Sequence, residues 1–141
     1  LPEPSRQIVF GSIIVVVATD APLLPPQLKR IARRAAMGIA RTGGTAGNGS
    51  GDIFLAFSTA NSAAATATEG LQQAAFVPND RVDGLFEATV LATEEAIVNA
   101  MVAARTMTGI DGNRLVAIDH ARLQEMLRRH DRLVTDRKPG R

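Results

Sequence analysis

The 141-residue chain has no cysteine, no tryptophan and no tyrosine, and only two histidines, His120 and His130. Without cysteine there is no disulfide framework, no thiolate zinc site and no cysteine nucleophile. Two histidines cannot alone build a multi-histidine site, so neither a metal nor any other cofactor is expected. Five Phe are the whole aromatic supply, which leaves few stacking platforms for bases and argues against a nucleic-acid partner. The longest uninterrupted apolar run, Ile13 to Ala18, is six residues. A membrane span needs about 20, so no membrane association is expected. The opening residues lack the basic, apolar and small-residue regions of an export signal, which makes the cytoplasm the default compartment.

What is present is a globular composition, 45% apolar and 21% charged, long enough for one domain with a modest core. The net charge of +2 hides a segmental pattern. Residues 1–41 carry six basic and two acidic groups, 42–113 two basic and eight acidic, and 114–141 eight basic and four acidic.

Residues 1–10, with two Pro and no period, read as an extended arm leading into Gly11. Ser12 to Thr19 is a β-branched apolar run whose lack of alternation predicts a strand buried on both faces. Asp20 to Leu24 is a turn, and Pro25-Pro26 pre-sets the start of a helix. Leu28, Ile31, Ala32, Ala35 and Ile39 recur at helical spacing and predict that helix to about Arg41. Lys29, Arg30, Arg33, Arg34 and Arg41 fall largely off this stripe as a solvated basic face. Ala35, Ala36, Gly38 and Ala40 would admit a close neighbour.

Residues 42–51 hold five Gly in ten positions, which implies positive φ or close backbone approach. The spacing matches neither a dinucleotide fingerprint nor a Walker loop. Asp52 to Thr59 is a second strand, and 60–80 a loop or weak strand. A long helix is predicted from Arg81 to Met107, capped by Asn79 or Asp80, with Val82, Phe86, Val90, Ile97, Met101 and Ala104 inward. Thr108 to Asn113 is a turn. Ile118 to Arg132 is a last amphipathic helix with Ala121, Leu123, Met126 and Leu127 inward. Two strands cannot make a sheet that buries both covering helices, so the core must be completed by strands from another chain or segment.

Few residues offer chemistry. His120 and His130 read as surface groups on a basic helix. Glu94 and Glu95 point about 100° apart on their helix, so they cannot face one substrate together and read as capping or solvated carboxylates. Gly11-Ser12 stands where the arm meets the first strand, and Gly49-Ser50-Gly51-Asp52 where the glycine-rich loop meets the second. Adjacent strands would bring Ser12, Ser50 and Asp52 together.

The stretches GSIIVVVATDAPLLP, QLKRIARRA, GNGSGDIFLAFSTAN, VPNDR and ATEEAIVNAM, between Gly11 and Met101, closely resemble the L-aminopeptidase D-Ala-esterase/amidase family, which includes the β-peptidyl aminopeptidases. The resemblance implies a precursor that cuts itself between Gly11 and Ser12, making Ser12 the N-terminal nucleophile with Ser50 and Asp52 in support. It implies an α/β fold, an αββα sandwich like that of N-terminal-nucleophile hydrolases. Residues 1–11 would then be the end of an α-chain, 12–132 a β-chain catalytic domain, and 133–141 a basic tail. It also implies an α-chain partner from the same precursor, a tetramer of αβ units, and short peptide, amide or ester substrates. A periplasmic location stays open, because an export signal would sit at the precursor's start.

A serine hydroxyl needs a base, and a freed Ser12 would carry one in its α-amine, reference pKa about 7.7–8.0. Ser50 is then expected to hydrogen-bond Ser12, and Asp52 to orient Ser50 and hold positive charge on the amine. Backbone N–H groups of Asn48, Gly49 and Gly51 are candidate oxyanion donors or substrate contacts. Alternative readings are a glutamate/ornithine acetyltransferase-like self-cleaving acyltransferase, which uses Thr, and an inactive oligomeric binding domain of the same fold.

Overall fold

A computed structural model describes residues 11–134, which fall into two compact units divided between Ile97 and Val98. The first is a parallel strand pair with helices on one face. Strand β1 (Ile14–Thr19) pairs with β2 (Ile53–Ser58) in the register Ile14 to Ile53 through Thr19 to Ser58, and helix α1 (Pro25–Arg41) makes the crossover. Parallel strands need such a crossover because no tight turn can join them.

Exposure alternates along both strands. Val15, Val17, Phe54 and Ala56 are half-buried, whereas Ile14 (69% exposed), Val16, Ile53, Leu55 and Phe57 (44%) are open. This corrects the expectation of burial on both faces: among the described residues nothing covers the outer face. The core lies on the inner face, where Leu23, Ile31, Val82 and Phe86 form a buried cluster with Val17, Leu28, Ala56 and Leu85 against it.

Helix α1 starts where its prolines predict. Gln27 is buried, and its amide is fully used. Oε1 accepts the Leu24 N–H at 3.0 Å, while Nε2 donates to the Val77 carbonyl at 2.7 Å and to Asn79 Oδ1 at 3.0 Å. Such complete pairing offsets the cost of burying a polar amide. Ile31, Ala32 and Ala35 are buried as expected, with Leu28 and Ile39 half-buried. The basic face is not wholly solvated. Arg30 and Arg34 lie over the Phe86 ring at 4.9 and 4.1 Å, contacts of cation–π type, and Arg41 pairs with Glu94.

That ion pair also replaces the expected capping or solvent role of Glu94. The small-residue stripe serves close packing at Ala35 and Gly38, while Ala36 and Ala40 are exposed. Past the helix end, Gly43 (φ 93°) and Gly44 donate to the Ala40 and Ile39 carbonyls, both at 3.1 Å. This closes the last turn as glycine C-caps do.

Residues 60–80 contain one short helix, α2 (Ser62–Thr66), and are otherwise irregular. The Asn61 side chain pairs with both backbone groups of Ala75, at 3.0 Å each, imitating a strand partner. The long helix α3 (Asp83–Ala103) begins later than expected, because Asn79 and Asp80 lie in a 3-10 turn (Asn79–Arg81). Asn79 spends its side-chain oxygen on Gln27 instead of a cap. Val82 and Phe86 are buried, and Val90 and Ile97 half-buried. The buried stripe is completed by Thr89 and Thr93, whose hydroxyls donate to the Leu85 and Thr89 carbonyls at 2.7 and 2.8 Å.

In the second unit α3 stops at Ala103, short of the expected Met107, and Met101 and Ala104 are exposed. The expected turn at 108–113 is the tip of a hairpin: β3 (Met107–Thr108) pairs antiparallel with β4 (Arg114–Leu115) around a 3-10 turn at Ile110–Gly112. Helix α4 (His120–Arg129) is shorter than predicted because Asp119 caps it, accepting the Ala121 and Arg122 N–H groups at 2.9 and 3.1 Å. Leu123 and Leu127 are half-buried, Ala121 and Met126 exposed. His120 is exposed as expected, yet its Nε2 hydrogen-bonds the Val102 carbonyl at 2.8 Å and so satisfies an end group of α3. The expected arm over 1–10 and nearly all of the basic tail lie outside the described residues. No helix among the described residues is long and apolar enough to cross a membrane.

A Cβ on Gly38 would stand 2.6 Å from Thr93 Cβ and 2.7 Å from the Val90 carbonyl oxygen. Gly38→Val must force α1 and α3 apart, at an expected cost of about 1–3 kcal/mol. Thermal unfolding of the full-length protein checks this, and an unchanged midpoint contradicts the close approach.

Candidate active site

The strand register carries straight into the site. The ladder continues one step past β1 and β2, the Ile53 N–H donating to the Ile13 carbonyl at 2.9 Å. There it changes character, because the Ile13 N–H is taken by Asp52 Oδ1, at 3.2 Å, instead of by a backbone carbonyl. Asp52 thus ties down the residue next to Ser12.

The glycine-rich loop delivers Ser50. The Ser50 N–H donates to the Gly47 carbonyl at 2.8 Å, closing a turn with Asn48 and Gly49 at its corners. Left-handed backbone in this loop falls at Gly43 and, outside glycine, at Ala46 (φ 46°), not near Ser50. A Cβ at Gly51 would meet Ser12 Oγ at an ordinary 3.6 Å, so the contact does not demand glycine there.

Four of the expected residues converge with the Gly11 carbonyl. Ser50 Oγ lies 2.6 Å from the Gly11 carbonyl oxygen and 2.6 Å from Asp52 Oδ1. Ser12 Oγ accepts the Gly51 N–H at 2.9 Å. Ser12 is exposed, whereas Ser50 and Asp52 are half-buried. In the joined chain Ser12 is therefore partnered by the Gly51 amide, and Ser50 by Asp52 and the carbonyl before Ser12. The Ser50–Ser12 bond is expected of a Ser12 freed by cleavage, a state other than this one. Asn48 and Gly49 are exposed at the turn and make no hydrogen bond to Ser12, Ser50 or Asp52 among the described residues. Of the three expected loop donors only the Gly51 N–H reaches the site.

Sequence reading missed the Ile13 N–H as a partner of Asp52 and the contact of Ser50 with the Gly11 carbonyl. Extending the strand register by three residues would have found both. Among the described residues no group of three or more His, Asp or Glu side chains converges as metal ligands do.

A serine heads one strand of a parallel pair, beside a second strand headed by a serine and a carboxylate, and the likeness to solved structures places this mixed α/β chain in the Ntn-hydrolase fold class. More narrowly, the chain belongs to peptidase family S58, whose model matches residues 3–115. It is 51% identical over 124 residues to the β-peptidyl aminopeptidase BapA of Sphingosinicella microcystinivorans, covering 88% of this chain and 31% of that protein.

Among solved structures it resembles the L-aminopeptidase D-Ala-esterase/amidase of Ochrobactrum anthropi, described as a prototype for the serine aminopeptidases and a new variant among the Ntn hydrolase fold. That match has TM-score 0.78 and 48% identity over 89% of this chain and 35% of the other. A Burkholderia sp. β-aminopeptidase matches with TM-score 0.74 and 46% identity, over 84% of this chain and 35% of the other. The chain spans about a third of the length of these relatives.

Asp52→Ala leaves the Ile13 N–H without its acceptor, while the Ser50 hydroxyl keeps the Gly11 carbonyl, at an expected cost of about 1–3 kcal/mol. Asp52→Asn keeps a side-chain carbonyl and should cost less. Urea unfolding of the full-length protein orders the three, and an alanine variant as stable as wild type contradicts the tether.

Proposed function

We propose that this chain is the catalytic part of a self-processing serine aminopeptidase that releases N-terminal residues from short peptides, amides or esters. The observation that carries the reading is the convergence of Ser12, Ser50, Asp52 and the Gly11 carbonyl at the mouth of a parallel strand pair. The names of the relatives support the reaction type.

Self-cleavage between Gly11 and Ser12 gives Ser12 a free α-amine. The hydroxyl then attacks a substrate carbonyl while the amine accepts its proton, directly or through water, and an acyl-enzyme forms and is hydrolysed. Asp52, already bonded to the N–H of the next residue, is close enough to balance the positive charge that the amine acquires. Loss of the Gly11 carbonyl frees the Ser50 hydroxyl to turn toward the new terminus.

The partner in this reading is an α-chain from the same precursor. Its support is the open sheet face, where Ile14, Val16, Ile53, Leu55 and Phe57 stand exposed. Apolar area of this kind is stable only under cover, and a second sheet of the sandwich supplies it. The αβ units assemble further, as tetramers by family resemblance.

Ser12→Ala should give one uncut chain without aminopeptidase activity, read by intact mass and release of a chromogenic anilide. A cut or active variant contradicts the assignment. With the α-amine as base, kcat/KM should fall about tenfold per pH unit below the amine's pKa, whose reference is about 7.7–8.0. A rate independent of pH between about 5 and 8 excludes that base.

A further inference from the structure

The two strands enter the site in register, and the register fixes what stands beside the nucleophile. Ile14 pairs with Ile53, so two residues earlier Ser12 lies opposite Gly51, whose N–H donates to Ser12 Oγ at 2.9 Å. Side chains two apart on a strand share a face. Exposure follows that rule: Ser12, Ile14 and Val16 are open, as are Gly51, Ile53 and Leu55, while Ile13 and Asp52 between them are half-buried. The Ser12 hydroxyl thus shares its face with an aliphatic pair, Ile14 at 69% exposure and Ile53 at 56%. A Cβ on Gly51 would meet Ser12 Oγ at 3.6 Å and nothing else within 4 Å, so Gly51 leaves a gap on this face between the hydroxyl and Ile53. The strands bring no charge to it, because β1 and β2 hold no Asp, Glu, Lys or Arg.

We infer that Ile14 and Ile53 are specificity-determining residues, forming the floor on which the side chain of the substrate's N-terminal residue rests, and that this floor selects aliphatic side chains by length. This rests on the aminopeptidase reading above and deepens it by naming residues of this chain that choose the substrate. When Ser12 Oγ attacks, the acyl residue stands over the gap at Gly51. Two strand residues rise about 7 Å, so a side chain laid along the face from that point comes down on the Ile14–Ile53 pair. The contact takes apolar area of both partners out of water, which favours an aliphatic side chain. A charged side chain would lose hydration there and find no countercharge on the floor. Val16 and Leu55 lie about 7 Å further along and are left to the covering α-chain. The open face is thereby divided, its first pair serving the substrate and the rest serving assembly.

The test compares kcat/KM for chromogenic anilides of leucine and alanine, using the protein processed from its full-length precursor. Ile53→Ala and Ile14→Ala lower the floor. Each should raise the leucine-to-alanine ratio about tenfold or more, the scale on which a hydrophobic pocket separates side chains differing by a methylene. Ile53→Val removes one methylene and should move the ratio the same way, which decides the matter if the alanine variants fail to fold. Gly51→Ala fills the gap and should lower the ratio. Leu55→Ala, one pair further along the same face, should leave it unchanged. A ratio does not depend on how much enzyme is folded, so these shifts separate a substrate contact from lost stability.

A ratio that stays at the wild-type value in the Ile14 and Ile53 variants overturns the inference. So does a Gly51→Ala variant whose ratio rises, or a Leu55→Ala variant that shifts it as far as Ile53→Ala. All three results leave the aminopeptidase reading intact, which fails separately if the wild-type protein releases neither anilide.

Discussion

The register of β1 against β2 is the constraint on which the site depends. Ile14 faces Ile53, and three further steps toward the N-terminus set Gly11 against Ser50. A slip of one residue would turn every side chain to the opposite face and would separate the Ser50 hydroxyl from the Gly11 carbonyl. The register is held on the inner face by Val17 and Ala56 against the buried cluster of Leu23, Ile31, Val82 and Phe86. At the mouth, Asp52 holds it through the Ile13 N–H. Packing chosen for burial and geometry chosen for chemistry are thus fixed by one alignment.

The same strand pair leaves one of its faces open among the described residues. One face is covered by α1 and α3, which meet closely only because Gly38 lacks a side chain. The other presents Ile14, Val16, Ile53, Leu55 and Phe57 to solvent. Two strands are too few for an independently stable sheet. Ser12 is exposed as well, so in the proposed reading an α-chain that covered the sheet would also enclose the nucleophile. Assembly and catalysis are joined in this account at one surface.

Much of this was legible in the sequence, for reasons that differ by element. The β-branched run before Thr19, the prolines at 25 and 26 and the 3.6-residue stripe of α1 are local signals, and local physics decides them. The motif around Gly11-Ser12 and Gly49-Ser50-Gly51-Asp52 marked the site, because strand starts brought side by side must juxtapose what they carry.

Long-range pairings were not legible. The start of α3 depends on Asn79 being engaged by Gln27, 52 residues away. The end of α3 and the hairpin at 107–115 depend on pairings too short to leave a period. The apolar run of β1 read as doubly buried because a run without alternation does not record which face is left open. Which acceptor Ser50 takes is set by ångström-scale geometry that residue types do not encode.

The most direct test of the central claim is the intact mass of the wild-type protein produced from its full-length gene. The account predicts two chains, the smaller beginning at Ser12 with a free α-amine. A single chain still joined at Gly11-Ser12, in folded protein that nevertheless hydrolyses amides, would contradict it.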